Sequence, residues 1–153
     1  MPEERGQTGP EVTIRELQAS EYLSVMRLWR EAGLPFRPEG RDRPERVAVE
    51  LESGQALFLV AEAEGKLVGT VLGTHDGRKG WINRLAVSPS YRRQGIARLL
   101  VCELESWFAS LGLEITAALV ESHNETSLAF FRAIGYVHGS DIEYFSKRRG
   151  PEV

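Results

Sequence analysis

The sequence predicts an α/β domain built around a mixed, mostly antiparallel sheet, and three observations indicate it. Two turn signals, Glu64-Gly65 and Asp76-Gly77, separate three consecutive strand-like segments, as in antiparallel hairpins. A long amphipathic helical pattern then begins after Gly95. Another apolar segment follows that helix, and a strand–helix–strand crossover implies parallel pairing. The predicted order of elements is β-α-α-β-β-β-α-β-α-β.

The first three elements precede the hairpins. Val12 to Leu17 alternates between apolar and polar residues, which predicts a strand. Ser20 is the expected N-cap of a helix that ends at Gly33. A second short helix is predicted from about Pro44 to Leu51.

The remaining elements are predicted by the same signals. They are strands over 57–61, 66–75 and 81–87, a helix over 96–111, a strand over 113–120 and a short helix between Asn124 and Gly135. Asn124 is the expected N-cap of that short helix. Tyr136 to Phe145 is predicted to supply a last strand or two.

Length and composition are those of one globular domain. The chain has 153 residues, of which 42% are hydrophobic and 27% charged. Residues 11–147 are predicted to form the domain, 1–10 a flexible N-terminal tail and 148–153 a charged C-terminal tail. The formal net charge of −3 argues against nucleic acid as the main partner.

Several other classes of site are not indicated. The single cysteine, Cys102, excludes an internal disulfide, and its place in a helical pattern predicts a buried thiol. Three histidines and one cysteine show no metal-ligand spacing, so we predict no metal site. No apolar run is long enough to span a membrane, and Met1 to Pro10 does not resemble a signal peptide. We therefore expect a cytoplasmic protein with no membrane partner.

The most informative segment extends from Leu85 to Ala97. An apolar strand ends at Val87, a loop containing Pro89 follows, and Arg92-Arg93-Gln94-Gly95-Ile96-Ala97 opens the long helix. A helix N-terminus offers unpaired backbone N–H groups and the positive end of the helix dipole, which together favour phosphate. Gly95 lets a ligand approach the backbone, and Arg92, Arg93 and Arg98 add positive charge. The segment predicts a pyrophosphate-binding site.

Two motifs in this order resemble those of the GCN5-related N-acetyltransferase superfamily. The first is Arg/Gln-x-x-Gly-x-Gly/Ala after an apolar strand, here Arg92 to Ala97 after Leu85-Ala86-Val87. The second is Asn-x-x-Ser/Ala followed by an aromatic or Leu pair and Gly-Phe/Tyr, here Asn124 to Ser127, Phe130-Phe131 and Gly135-Tyr136. The resemblance covers about Val12 to Lys147. It implies the fold of that superfamily, in which two central strands splay apart beside a bulge.

The resemblance also implies an activity and a site. The expected reaction moves an acetyl group from acetyl-coenzyme A to a primary amine of a small molecule or a protein. The Val87 N–H would stabilise the oxyanion, and the pyrophosphate would rest on Arg92 to Ala97. The full set implied to bind the cofactor is Leu85, Ala86, Val87, Arg92, Arg93, Gln94, Gly95, Ile96, Ala97, Arg98, Asn124, Ser127 and Phe131.

Two positions depart from the pattern of the family. Phe131 stands where many members have a Tyr that protonates the leaving thiolate, so Tyr136, Tyr144, Ser127 or a water would have to replace it. Some relatives carry a Glu on the strand before the phosphate loop, where this chain has Trp81 and Asn83. Neither can accept a proton, so Glu121 is the first candidate for the general base and Tyr136 for the acid.

The sequence leaves alternatives open. Without the usual acid and base, the chain could be a non-catalytic module that senses acyl-coenzyme A. A Rossmann-type nucleotide site is disfavoured because Gly-x-Gly-x-x-Gly is absent and the Asp76-Gly77 hairpin stands where a crossover would be needed. The acceptor amine, the acyl chain preference and the oligomeric state are not determined, although a homodimer is possible because dimers are common among similar proteins.

Overall fold

The computed structural model describes residues 11–151 and 153. Within this part of the chain, five strands form one sheet in the order β1-β2-β3-β4-β5. The strands are β1 (Val12–Glu16), β2 (Ala56–Ala63), β3 (Lys66–His75), β4 (Lys79–Val87) and β5 (Ile115–Ala118). Neighbouring strands pair antiparallel except β4 and β5, which are parallel. The mixed α/β fold predicted from the hairpins and the crossover is confirmed.

Helices cover both faces of the sheet. They are α1 (Tyr22–Ala32), α2 (Pro44–Glu52), α3 (Ile96–Ser110) and α4 (Glu125–Ala133). On one face, α3 buries Leu100, Leu104 and Phe108 completely against β2, β3 and β4. On the other face, Trp29 of α1 and Val47 of α2 are buried in a second cluster with residues of the same strands. The sheet is therefore the common middle layer of two apolar cores.

Two local predictions differ from the structure. Ser20 does not cap α1; it lies in a short 3₁₀ turn (Ala19–Glu21) that begins after Gln18. There the Glu21 side chain accepts a hydrogen bond from the Gln18 N–H at 3.0 Å, so a capping box forms instead. Cys102 is exposed rather than buried, because it falls outside the buried side of α3.

The last predicted strand is the main correction to the order of elements. Residues 136–149 form no strand in the described chain. A short turn interrupts the segment, with the Ile142 N–H donating to the Gly139 carbonyl at 3.2 Å. Val137 and Phe145 are 94% and 90% exposed, so these two side chains gain no burial against the sheet, whereas Tyr136 at the start of the segment packs against the core. The predicted N-terminal tail, residues 1–10, lies outside the described residues.

Candidate active site

The site begins at an irregularity in β4. The register with β3 shifts between Thr70 and Leu72, where Arg84 and Leu85 of β4 lie opposite a single residue of β3. This arrangement is a β-bulge, and Arg84 adopts a left-handed φ of 55° within it. The bulge implied by the family resemblance is therefore present. It turns the end of β4 away from a regular ladder.

The next feature is the separation of β4 from β5. Their pairing extends only as far as Ile82 and Ala118, while β4 continues to Val87 paired with β3 alone. The free side of residues 83–87 offers backbone hydrogen-bonding groups without a strand partner. The two strands thus open a cleft at their C-terminal ends.

Two cavities occupy this cleft. The larger, which we call the α3 groove, has a volume of about 830 Å³ and lies between the end of β4, the start of α3, the end of α1 and the β5–α4 connection. The smaller, the α2 cavity, has a volume of about 520 Å³ and lies between the α1–α2 connection, α2, β4 and the β5–α4 region. Leu85, Glu121, Asn124 and Ser127 line both. The two cavities therefore meet at the bulge.

The predicted cofactor-binding residues come together around this cleft. All of them except Gln94 and Phe131 line the α3 groove. Phe131 lines the α2 cavity instead, where it is 8% exposed. Gln94 lines neither cavity, although it belongs to the same loop.

The start of α3 has the geometry expected of an anion seat. Gly95 is the N-cap residue with a φ of 79°, a left-handed conformation that side-chain-bearing residues rarely adopt. Its carbonyl accepts the first helical hydrogen bond from the Leu99 N–H at 3.0 Å. The N–H groups of the first turn have no acceptor within the helix and lie beside the groove.

The arginines around this seat differ in what they contact. Arg92 donates to the Val87 carbonyl at 3.3 Å and to the Ala32 carbonyl at 3.2 Å, so it ties the end of α1 to the end of β4. Arg93 and Arg98 line the groove and form no hydrogen bond or ion pair with any described residue. Their charges are available to an anion.

Asn124 stands at the junction of the two cavities. Its side-chain oxygen accepts a hydrogen bond from the Ser127 N–H at 3.1 Å, which caps α4 as the sequence predicts. The amide nitrogen of Asn124 forms no hydrogen bond with a described residue. It is a free donor beside Leu85.

A buried ion pair that the sequence analysis missed fixes the other side of the bulge. Arg84 contacts both carboxylate oxygens of Asp42, at 2.6 and 2.7 Å, and donates to the Pro35 carbonyl at 2.7 Å. Its guanidinium lies 5.0 Å from the ring centroid of Trp29. Burial lowers the pKa of Arg84, and the charge of Asp42 opposes that effect. The pair holds the α1–α2 connection against β4.

The three residues predicted to act in catalysis lie in different surroundings. Val87 lines the α3 groove. Glu121 lines both cavities, its side chain is 70% exposed, and it lies 3.5 Å from His123. Tyr136 lines neither cavity; its hydroxyl contacts Thr116 and Glu105, each at 3.0 Å, and burial raises its pKa to about 12.

Of the other candidates for proton transfer, Ser127 lines both cavities and Tyr144 lines neither. Tyr144 is 65% exposed in the segment after α4. His75 packs edge-on against Trp107, with ring centroids 5.7 Å apart, and lines neither cavity. Within the described residues, no group of three or more His, Cys, Asp or Glu side chains is placed to hold a metal ion. No helix of that same part of the chain combines the length and apolarity needed to cross a membrane.

Comparisons with known proteins agree with this geometry. The sequence profile of the Acetyltransferase (GNAT) family matches residues 22–136. Among solved structures, the fold is similar to AAC(6')-Iy bound to a bisubstrate analogue, with a TM-score of 0.76 and 18% identity over 90% of this chain and 99% of that chain. The fold is also similar to an aminoglycoside acetyltransferase from an uncultured soil metagenomic sample. The TM-score is 0.76, with 20% identity over 91% of this chain and 97% of that chain.

A third similar structure is an N-acetyltransferase of Thermoplasma acidophilum in complex with coenzyme A. Its TM-score is 0.73, with 20% identity over 82% of this chain and 89% of that chain. At these identities the structures establish a shared fold, and the profile match establishes the family.

Proposed function

Because the chain belongs to the Acetyltransferase (GNAT) family, we propose that it transfers the acetyl group of acetyl-coenzyme A to a primary amine. One observation carries this proposal. The α3 groove and the α2 cavity meet at Leu85 and Asn124, so two substrates can lie with their reacting groups in contact. Holding both reactants in one cleft supplies a large part of the rate by proximity.

The proposed site of coenzyme A is the α3 groove, and the proposed direction is set by the anion seat at Gly95. Its pyrophosphate would rest on the N–H groups after Gly95, with Arg93 and Arg98 beside it. Its pantetheine arm would run along the free edge of Leu85 to Val87 and reach Asn124. Structural neighbours solved in complex with coenzyme A support coenzyme A as the ligand.

The transfer step needs an oxyanion donor and a base. The acceptor nitrogen attacks the thioester carbon, the Val87 N–H stabilises the oxyanion, and the C–S bond then breaks. One such donor contributes ~3 kcal/mol to the transition state. Glu121 lies at the junction of the cavities and is the proposed acceptor of the amine proton, directly or through water.

The departing thiolate needs little help. Free thiols have a pKa of about 8.5, so the thiolate is a tolerable leaving group. Phe131 has no proton to give, and the Tyr136 hydroxyl is bonded to Thr116 and Glu105 behind the cleft. Water in the cleft is the proposed source of the proton.

A small-molecule amine is the proposed acceptor. The α2 cavity of about 520 Å³ is within the usual size range of small-molecule sites. Aminoglycoside acetyltransferases among the structural neighbours support a small acceptor over a protein one. A homodimer remains a prediction, and sedimentation at several concentrations would test it.

The first test is acetyl-coenzyme A binding by calorimetry with two matched variants. Gly95→Glu adds bulk and negative charge to the anion seat and should weaken binding at least about tenfold. Gly112→Glu is the control, because Gly112 has a φ of 77°, close to the 79° of Gly95, and no atom would lie within 4 Å of a Cβ at either site. Equal affinity in all three proteins would refute the proposed seat.

An assay of thiol release with a panel of amines completes the test. Release of coenzyme A that depends on an added amine establishes the transferase. Tight binding without release from any amine would favour the alternative, a module that senses acyl-coenzyme A.

A further inference from the structure

Glu50 of α2 faces the α2 cavity and has no role in the chemistry described above. Its side chain lines the cavity and is half-buried. The carboxylate forms no hydrogen bond or ion pair with any described residue, although the Glu50 backbone carbonyl accepts bonds from Ser53. A half-buried charge without a partner is costly in the free protein. A cation that enters the cavity would compensate the negative charge of this carboxylate.

The surrounding charges leave that carboxylate uncompensated. Arg84 is occupied by Asp42 at 2.6 Å, and Arg41 also lies 3.7 Å from Asp42. Neither guanidinium is within 4.0 Å of Glu50, nor is that of Arg46 one turn earlier on α2. The cavity wall therefore carries three carboxylates, including Glu121, against the guanidinium groups of Arg41 and Arg84.

The protonation behaviour of Glu50 agrees with this geometry. Burial raises the pKa of Glu50, the charge of Asp42 raises it further, and Arg84 and Arg46 oppose the shift. A bound ammonium group would act in the same direction as those arginines and favour the ionised carboxylate. Glu50 and such a ligand would therefore stabilise each other.

We propose that Glu50 is a specificity-determining residue that binds a second ammonium group of the acceptor, an inference that rests on the proposed function. The reacting nitrogen must be neutral when it attacks, so it cannot be the group that keeps a positive charge beside Glu50. The preferred acceptors are then small molecules with two or more amino groups. One amine reacts at the junction near Leu85 while another is held at the α2 wall.

The experiment compares diamines with their monoamine isosteres. The substrates are the linear diamines from diaminopropane to diaminohexane, each paired with the amine in which a methyl replaces one ammonium group. The wild-type protein should have a higher kcat/KM for the diamine of at least one pair. Glu50→Gln should reduce that preference about tenfold, mainly through KM, because a charge-assisted contact is lost while the reacting groups are unchanged.

Glu52→Gln is the matched control, because Glu52 lies on the same helix, is exposed and lines neither cavity. The affinity for acetyl-coenzyme A should be the same in the wild type and both variants. A diamine preference unchanged in Glu50→Gln, or no diamine preference in the wild type, would overturn the inference and leave the proposed transferase standing. Absence of transfer to every amine would overturn the proposed function itself, and this inference with it.

Discussion

At the scale of single residues, the ion pair between Arg84 and Asp42 holds the α1–α2 connection against β4 at the bulge. The side chains are 16% and 8% exposed, and removal of one partner leaves a buried charge alone. We expect Asp42→Ala to reduce the free energy of unfolding by about 3 kcal/mol. Chemical denaturation would measure the loss.

Glu31→Ala is the control for that prediction. Arg27 and Glu31 form an ion pair at 3.9 Å with side chains 51% and 52% exposed, so the loss should be about 0.5 kcal/mol. Replacing both buried partners, as Asp42→Leu with Arg84→Met, should cost less than Asp42→Ala alone. Equal losses for Asp42→Ala and Glu31→Ala would mean that the buried pair does not hold the α1–α2 connection.

Sequence reasoning reached some site residues and missed others for a physical reason. Gly95 and Asn124 could be predicted because each acts at a helix end that is visible in its neighbours along the chain. Arg84 and Asp42 are 42 positions apart, and Glu50 faces the cavity only because α2 packs on β2 and shares the cavity wall with β4. Such partnerships are created by tertiary contacts and leave no local pattern.

At the scale of elements, the packing of α3 on the sheet depends on close approach at Gly80 of β4. A Cβ placed there would lie 2.5 Å from the ring of Phe108, which is fully buried. Overpacking of this kind costs about 1–3 kcal/mol because the ring and the strand must move apart. We expect Gly80→Ala to lower the free energy of unfolding by about 2 kcal/mol in chemical denaturation.

Gly150→Ala serves as the comparison for that helix–strand contact. Nothing lies within 4 Å of a Cβ at Gly150, and its φ is not in the left-handed range, so stability should not change. If Gly80→Ala were as stable as Gly150→Ala, the ring of Phe108 would have room that the packed structure does not provide.

Elements that have clear signals in the local sequence were predicted correctly. The strand predicted at Tyr136 to Phe145 does not form, because it has no neighbouring strand to pair with. The hairpins and α3 combine turn residues with a matching hydrophobic period, so local and tertiary preferences agree. Tyr136 to Phe145 contains several aromatic and β-branched residues, but a strand needs a neighbour, and residues 136–149 lie unpaired while β5 spans only Ile115–Ala118. Strand propensity alone does not supply that neighbour.

At the scale of the whole molecule, the cleft is assembled from parts that are distant along the chain. The α3 groove combines the end of α1, the end of β4, the start of α3 and the β5–α4 connection. A ligand that binds all four stabilises the folded state against the unfolded state, in which these parts are separated. Thermal stability is therefore a readout of groove occupancy that does not require turnover.

We expect acetyl-coenzyme A at 100 times its dissociation constant to add about 2.7 kcal/mol to the stability of the fold. For a protein of this size that is a rise in melting temperature of about 5–11 °C. Scanning calorimetry over a range of ligand concentrations would measure it, and the rise should grow with the logarithm of concentration. Adenosine monophosphate lacks both the pyrophosphate and the pantetheine arm, so it should produce little rise. If it matched acetyl-coenzyme A, the seat at Gly95 and the strand edge at Leu85 to Val87 would contribute nothing to binding, whereas a rise specific to acetyl-coenzyme A would show that at least one of them binds the ligand.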